Sequence, residues 1–451
     1  MSRIDPHIFK AYDVRATVDR LTPQAAGLIG RALGSLMRER GFARLVVGRD
    51  GRLSSPALAE ALIEGLLACG VEVLDLGLAA TPLLYFAACA EAEGCGAVVT
   101  GSHNPPEYNG IKLMLGNDTI DGAELQALLA RIEAGDFVAG AGRVYRIDLT
   151  AAYQAEIAAA VPLARPLRIV VDCGNGVAGA YAPELYRCLG CEVVPLYCEV
   201  DGQFPNHHPD PQQPANLQDL HAAVLAHDAD AGLAFDGDGD RLGVVSRSGH
   251  IIAGDRLLML FAAAELKKRA GHVLYDVKSS RLVASWVAMH GGSSEAIPTG
   301  HSHMKRMLKR TGALLAGELS GHFAFAGWGV DDALYAGAKL LQLIAAGADL
   351  DAELARLPAA LATPEIQVCL RADGHTLVER IAATARFPSS ERVFLVDGLR
   401  IEYPDGFGLI RASNTTPVLT LRIEAENAAA LRRIHDELAA AIAPLPMPEL
   451  E

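Results

Sequence analysis

Two short stretches concentrate side chains able to do chemistry. Asp236-Gly237-Asp238-Gly239-Asp240-Arg241 sets three carboxylates at alternate positions. In an extended segment alternate residues share a face, and the intervening glycines also let such a loop wrap inward around a cation. Three adjacent anions repel unless a cation neutralises them, and hard oxygen donors of this kind suit Mg2+ or Ca2+. A calcium-binding EF-hand loop does not fit: Arg241 stands where that loop needs glycine, and Arg247 where it needs glutamate. A solvated acidic turn is the simpler alternative. Arg241 beside the cluster could offset its charge or reach a phosphate. The other stretch is Thr100-Gly101-Ser102-His103-Asn104-Pro105-Pro106. Its glycine, asparagine and prolines supply positive φ, local hydrogen bonds and fixed φ, so it reads as a stiff turn. The prolines withhold two backbone donors and keep the tip out of a helix or a central strand. A hydroxyl, Ser102, is thereby held beside an imidazole, His103. An ordinary polar turn would have the same composition.

Two weaker islands follow. Gly317-Glu318-Leu319-Ser320-Gly321-His322 packs carboxylate, hydroxyl and imidazole into six residues. Such a set suits sugar hydroxyls, which both donate and accept, and equally suits a helix cap. Arg411-Ala412-Ser413-Asn414-Thr415-Thr416-Pro417 combines one guanidinium, several hydroxyls and free backbone N–H groups. It could cradle a phosphate or simply form a turn. Lys278, His301, His303 and Lys305 add basic groups between the second and third islands.

The elements that must position these residues alternate in type. Leu45–Gly48 reads as a strand, Ser54-Ser55-Pro56 opens a helix, and Val71–Gly77 reads as the next strand. Arg168–Asp172, a helix from Tyr181 to Leu189 and Glu192–Tyr197 repeat that order, as do Val273–Val277, a helix through Met289 and Glu295–Thr299. Strand, loop, helix and strand in this order describe βαβ units and a mostly parallel sheet. Three such units imply three related α/β domains. Ser102 falls between two strand-like runs, Gly96–Thr100 and Ile111–Met114, and the acidic cluster follows the strand-like Ala231–Phe235. After a linker at Leu357–Pro364, grouped strands and peripheral helices, the last from Asn427 to Ile442, read as a small α+β domain. The divisions expected are 1–150, 151–249, 250–363 and 364–451.

A chain of 451 residues, 51% hydrophobic and 21% charged, has the composition of several globular cores. Its net charge of −14 and lack of a long basic run argue against nucleic-acid or anionic-membrane partners, which need clustered Lys and Arg. Met1–Lys10 has no apolar signal region. The apolar run Leu76–Ala90 is short for a membrane span and contains Pro82. A cytoplasmic protein is expected, with its eight scattered cysteines reduced; the lone Cys188-x-x-Cys191 lacks a second pair for zinc.

Together and in this order, the four islands resemble the active-serine, metal, sugar and phosphate loops of the α-D-phosphohexomutases, nearest the bacterial phosphomannomutase/phosphoglucomutase branch. The resemblance spans essentially the whole chain. It implies four domains around a central cleft, three of them related. Ser102 then resembles the phosphorylated serine, with Lys112, Arg15 and His103 as further catalytic candidates. Asp236, Asp238, Asp240 and a phosphate oxygen on Ser102 would bind Mg2+. Glu318, Ser320 and His322 would meet the sugar, and Arg411, Ser413, Asn414 and Thr415 the unreacting phosphate. Tyr12, Arg241, Lys278 and His301 match cleft-lining positions. The activity implied is reversible transfer of phosphate between C6 and C1 of mannose or glucose phosphates. It would run through phosphoserine and a hexose 1,6-bisphosphate, with glucose or mannose 1,6-bisphosphate as activator, in a monomer. Ala16, Gly101, Leu319 and Thr416 depart from the family's commoner residues. The alternatives are a phosphoglucosamine mutase, against which Asn414 argues because that branch usually has glycine there, and a sugar phosphatase using Asp236 or Asp238 as nucleophile. The phosphatase lacks its usual Thr or Val after D-x-D, having Asp240.

Overall fold

The computed structural model describes residues 4–370, 373–413 and 418–448. The chain divides into two compact units, Met1–Gly254 with Ser320–Ala352, and Asp255–Leu319 with Glu353–Glu451.

The first unit holds two mixed sheets. In the first, Arg44–Arg49 runs parallel to both Glu72–Leu78 and Gly96–Val99. Tyr108–Leu115 then pairs antiparallel with Gly96–Val99 on one side and with the edge strand Val14–Thr17 on the other. Pairing with both neighbours buries Lys112 in a strand whose following residues, 113–115, are apolar. The helix Pro23–Glu39 starts as its sequence dictates: Thr22 Oγ1 accepts the Ala25 N–H, Pro23 occupies the first turn, and Gly41 follows the end at positive φ. The second sheet repeats the scheme. Arg168–Asp172 runs parallel to Glu192–Leu196 and Ala231–Phe235, and Leu242–Ser246 turns back antiparallel on Ala231–Phe235. In both sheets a parallel strand therefore reverses through one loop into an antiparallel partner. Those two loops are the serine loop and the acidic loop.

In the second unit His272–Asp276 runs parallel to Ser293–Ile297 and Leu315–Gly317. The C-terminal sheet is antiparallel throughout, with Val418–Ala425, Gly406–Ala412, Leu399–Tyr403 and Arg392–Phe394 in order. Helices Gly374–Thr384 and Ala428–Ile442 cover its apolar residues Leu399, Ile410 and Leu421, with Ile434 of the last helix packed in the same core. The expected linker is partly structured: Leu361–Ala362 pairs with the end of Val418–Ala425, because Thr363 and Ile423 exchange hydrogen bonds there. Among the described residues, no helix is long and apolar enough to cross a membrane.

Candidate active site

Ser102 adopts φ of +50°, a left-handed conformation that costs a non-glycine residue about 1–2 kcal/mol. The loop around it is over-determined. The Thr100 hydroxyl accepts the Ser102 N–H at 2.8 Å, and Asp50 Oδ2 accepts the Gly101 N–H at 3.1 Å. Arg52, buried to 1% exposure, donates to Asp50 and to the carbonyls of Ser102, Asn104, Pro105 and Tyr108 at 2.6–3.1 Å. Its planar fork thus reaches four carbonyls of one loop, which an ammonium could not do with the same geometry. The Phe204 ring lies 5.0 Å beneath the guanidinium. A side chain at position 101 would put its Cβ 2.5 Å from the Arg52 guanidinium, so with Arg52 in this position only glycine fits without the guanidinium shifting. Arg15 adds a second clasp, donating to Gly101 O at 3.2 Å and Asn104 Oδ1 at 2.6 Å while paired with Asp13.

The acidic loop is built from the opposite polarity. Asp236 Oδ1 collects the backbone N–H groups of Gly239, Asp240 and Arg241 at 3.0–3.1 Å, with Gly239 at φ +78°. Its other oxygen accepts the Ser102 hydroxyl at 2.8 Å. The two loops touch at Gly237, where a Cβ would lie 2.2 Å from Ser102 O. Lys112 Nζ stands 2.6 Å from Asp238 Oδ2 and 2.6 Å from Asp240 Oδ2, and Thr81 Oγ1 donates to Asp238 at 2.6 Å. Burial, reinforced by Asp238 and Asp240, pushes the Asp236 carboxyl well above the usual range. Burial acts upward on Asp238 too, but the Lys112 ammonium and the Thr81 hydroxyl outweigh it and hold Asp238 low. Burial acts downward on Lys112, and Asp238 with Asp240 more than reverses it, so its pKa is raised. Lys112 is therefore a fixed cation in this arrangement.

The donor set fits a divalent cation. Asp236, Asp238 and Asp240 each offer an oxygen within 4.8 Å of the others. Asp238 Oδ1 and Asp240 Oδ1 are buried and accept no hydrogen bond among the described residues. Such orphaned carboxylate oxygens are what a hard cation would satisfy.

His103 Nδ1 lies 3.3 Å from the Ser102 hydroxyl. Burial and then the nearby Arg241 and Arg15 charges push its pKa well down, leaving a neutral imidazole. Arg241 Nε donates to His322 Nε2 at 3.1 Å, which leaves the His322 proton on Nδ1, 3.0 Å from Asp331 Oδ2. The first unit thus brings together Ser102, His103, Arg15, Lys112, the three aspartates, Arg241 and His322. Tyr12 lies in the bend before the first strand, and Ser320 is buried just beyond the unit boundary.

The remaining expected residues belong to the second unit. Lys278 Nζ pairs with Glu365 at 2.9 Å, His301 opens the helix His301–Thr311, and Glu318 Oε1 accepts the Gly300 N–H at 2.8 Å. Arg411 Nε donates to Asp397 Oδ2 at 2.7 Å, and the same oxygen accepts the Thr299 N–H at 3.0 Å. Ser413 directly follows the strand Gly406–Ala412, while Asn414 and Thr415 lie outside the described residues. Reading the sequence missed Asp50, Arg52 and Thr81. The only signal was the polar turn Arg49–Arg52 after a strand, which says nothing of which loop it grips.

The chain is similar to known proteins over nearly its whole length. The chain matches the three alpha/beta/alpha domains of phosphoglucomutase/phosphomannomutase over residues 6–139, 151–249 and 253–361, and the C-terminal domain of the same family over 351–441. It is 51% identical over 450 residues to a phosphoglucomutase of Neisseria gonorrhoeae, covering 98% of each chain. It is 46% identical to a phosphomannomutase/phosphoglucomutase of Pseudomonas aeruginosa, covering 98% of this chain and 97% of the other. A crystal structure of a phosphoglucomutase/phosphomannomutase family protein from Burkholderia thailandensis superposes with a TM-score of 0.93 at 48% identity, over 99% of this chain and 100% of that one. The chain belongs to the phosphoglucomutase/phosphomannomutase family, whose members are isomerases of carbohydrate metabolism.

Proposed function

We propose that this chain interconverts the 1- and 6-phosphates of glucose and mannose by way of a phosphoserine at Ser102. The observation that supports it most is Ser102 itself: a hydroxyl held in a left-handed turn, 2.8 Å from a carboxylate of a cation-ready loop. In the forward step a sugar hydroxyl attacks the phosphoserine phosphorus, the P–Oγ bond breaks, and the departing Ser102 oxygen takes up a proton. The second step is the reverse, with Ser102 attacking the other phosphate of the bisphosphorylated sugar after that sugar has turned round.

This chain's own groups divide the work. Neutral His103 can accept and return the Ser102 proton. Lys112 acts as a fixed positive charge for the migrating phosphoryl group, and Arg15 anchors the loop while remaining beside Ser102. Asp236, Asp238 and Asp240 would hold Mg2+, which when bound would polarise the phosphoryl oxygens. Glu318, Ser320 and His322 take the sugar, with Tyr12, Arg241, Lys278 and His301 along the cleft. Arg411, Ser413, Asn414 and Thr415 hold the phosphate that is not reacting. Glucose or mannose 1,6-bisphosphate serves as activator, rephosphorylating a serine that has lost its phosphate. The domains 1–150, 151–249, 250–363 and 364–451 would work as four bodies of a cytoplasmic monomer.

Intact-mass and peptide spectrometry of the resting enzyme, with a panel of four hexose phosphates, tests the proposal. Phosphate is expected on Ser102, and Ser102→Ala is expected to lose at least ~1,000-fold in kcat with its circular dichroism unchanged. Phosphate on an aspartate, with Ser102→Ala fully active, would refute the mutase reading in favour of the phosphatase.

A further inference from the structure

The strands Arg168–Asp172 and Glu192–Leu196 are parallel neighbours that pair Asp172 with Leu196. Their carboxyl ends therefore emerge side by side and bring Cys173 next to Cys198, with the sulfurs 3.6 Å apart. Cys173 is fully buried and Cys198 half-buried. A disulfide needs about 2.05 Å between sulfurs, so closure asks for only about 1.5 Å of movement. All eight cysteines are thiols in this structure. Geometry also favours a direction of attack. Across the 3.6 Å gap the buried Cys173 S–H can donate to a Cys198 thiolate, which lowers the Cys198 pKa and lifts the Cys173 thiol further above a value that burial already raises. Cys198, with the lower pKa and a path to solvent, is the reactive partner.

The pair sits against the acidic loop's support. Cys173 begins the turn Cys173–Gly176, whose Gly176 N–H donates back to Cys173 O at 2.6 Å. The next residue, Val177, donates its N–H to Gly237 O at 3.1 Å. A Cβ on Gly176 would lie 2.9 Å from Gly237 Cα, and one on Gly179 would lie 2.1 Å from Cys198 O. The segment Gly176–Ala180 is thus wedged between Cys198 and the loop bearing Asp236, Asp238 and Asp240. A backbone shift at Cys173 or Cys198 would press on this segment and, through Val177, on Gly237.

We propose that Cys173 and Cys198 form a reversible disulfide on exposure to a peroxide, and that closing it displaces the acidic loop and weakens its hold on a divalent cation. The Cys198 thiolate attacks a peroxide oxygen, the O–O bond breaks, and the hydroxide released takes a proton to leave as water. The Cys173 sulfur then attacks the resulting sulfenic sulfur. The S–O bond breaks, and the second hydroxide takes the Cys173 proton to leave as water. Two thiols lose two electrons and two protons, and the peroxide is reduced to two waters. A dithiol reductant reverses the change by exchange.

The test treats the full-length protein with hydrogen peroxide, alkylates remaining thiols, and maps non-reduced peptides by mass spectrometry. Mn2+ binding is followed by electron paramagnetic resonance before and after. A Cys173–Cys198 peptide is expected, with the Mn2+ dissociation constant rising about 10-fold or more, as for other disturbed outer-shell contacts. Dithiothreitol should restore it, and Cys198→Ser should prevent both changes. Full alkylation of Cys173 and Cys198 after doses that oxidise the exposed Cys188 would overturn the proposal. So would a disulfide that leaves Mn2+ binding unchanged. The peptide map needs no variant, so a poorly folding Cys198→Ser does not shelter the idea. The cation readout rests on the acidic loop assigned above, but neither readout uses mutase activity, so failure here and failure of the proposed function are separable.

Discussion

The serine loop and the acidic loop occupy the same place in two related sheets, each reversing a parallel strand into an antiparallel one. They are held by opposite means. In the serine loop the backbone carbonyls turn inward and a buried cation, Arg52, gathers them. In the acidic loop the backbone N–H groups turn inward and a buried carboxyl oxygen, Asp236 Oδ1, gathers them. The first loop has its carbonyls taken up by Arg52 and Arg15 and presents one hydroxyl. The second leaves two buried carboxylate oxygens without hydrogen bonds and borrows Lys112 from the first sheet to balance its charge. One loop is a clasped mount, and the other keeps carboxylate oxygens whose chemistry suits a cation.

That contrast can be broken at specific residues. Lys112→Met should have the largest effect. It strips the cation from three buried aspartates, so the metal-free protein should lose about 3–5 kcal/mol in urea unfolding. Mg2+ at 100 times its dissociation constant should return ~2.7 kcal/mol. A variant as stable as the parent in EDTA would show that Lys112 does not balance the acidic loop.

Asp238→Asn comes next. Mn2+ affinity should fall about 100-fold by titration, because one anionic donor is gone, while phosphate on Ser102 of the purified protein should still be detectable. Unchanged Mn2+ affinity would remove Asp238 from the ligand set. Arg52→Lys keeps the charge but loses the fork. With several carbonyls released, kcat should drop roughly 10- to 100-fold through misplacement of Ser102, with Mn2+ affinity preserved. Equal loss of both would mean the two loops are not held independently. Gly101→Ala is the mildest. The new methyl must displace the Arg52 guanidinium, and chemical unfolding should report about 1–3 kcal/mol lost.

Legibility in the sequence followed range. Residues whose meaning lies in their immediate neighbours could be read: the Thr22-Pro23 helix start, the three βαβ orders, the alternating aspartates and the stiff serine turn. Arg52 could not, because its acceptors lie up to 56 residues away and no pattern near position 52 encodes them. Thr81, 157 residues from Asp238, is a similar case. The structured stretch at Leu361–Ala362 was hidden for the same reason, since its partner strand comes some sixty residues later. Gly101 shows the converse. Its departure from the family's commoner alanine was visible, but its cause, the guanidinium packed on its Cα, is a fact of packing alone.

The placement of Lys112 also bears on how long the protein survives in a cell. A cluster of buried carboxylates without a counter-charge would make folding conditional on metal supply, and each fall in free Mg2+ would enlarge the unfolded fraction open to proteases. A resident ammonium 2.6 Å from two of those carboxylates removes that condition. If the proposed function holds, magnesium shortage would silence catalysis without unfolding the chain, and the folded stock would be ready to work again once the ion returned.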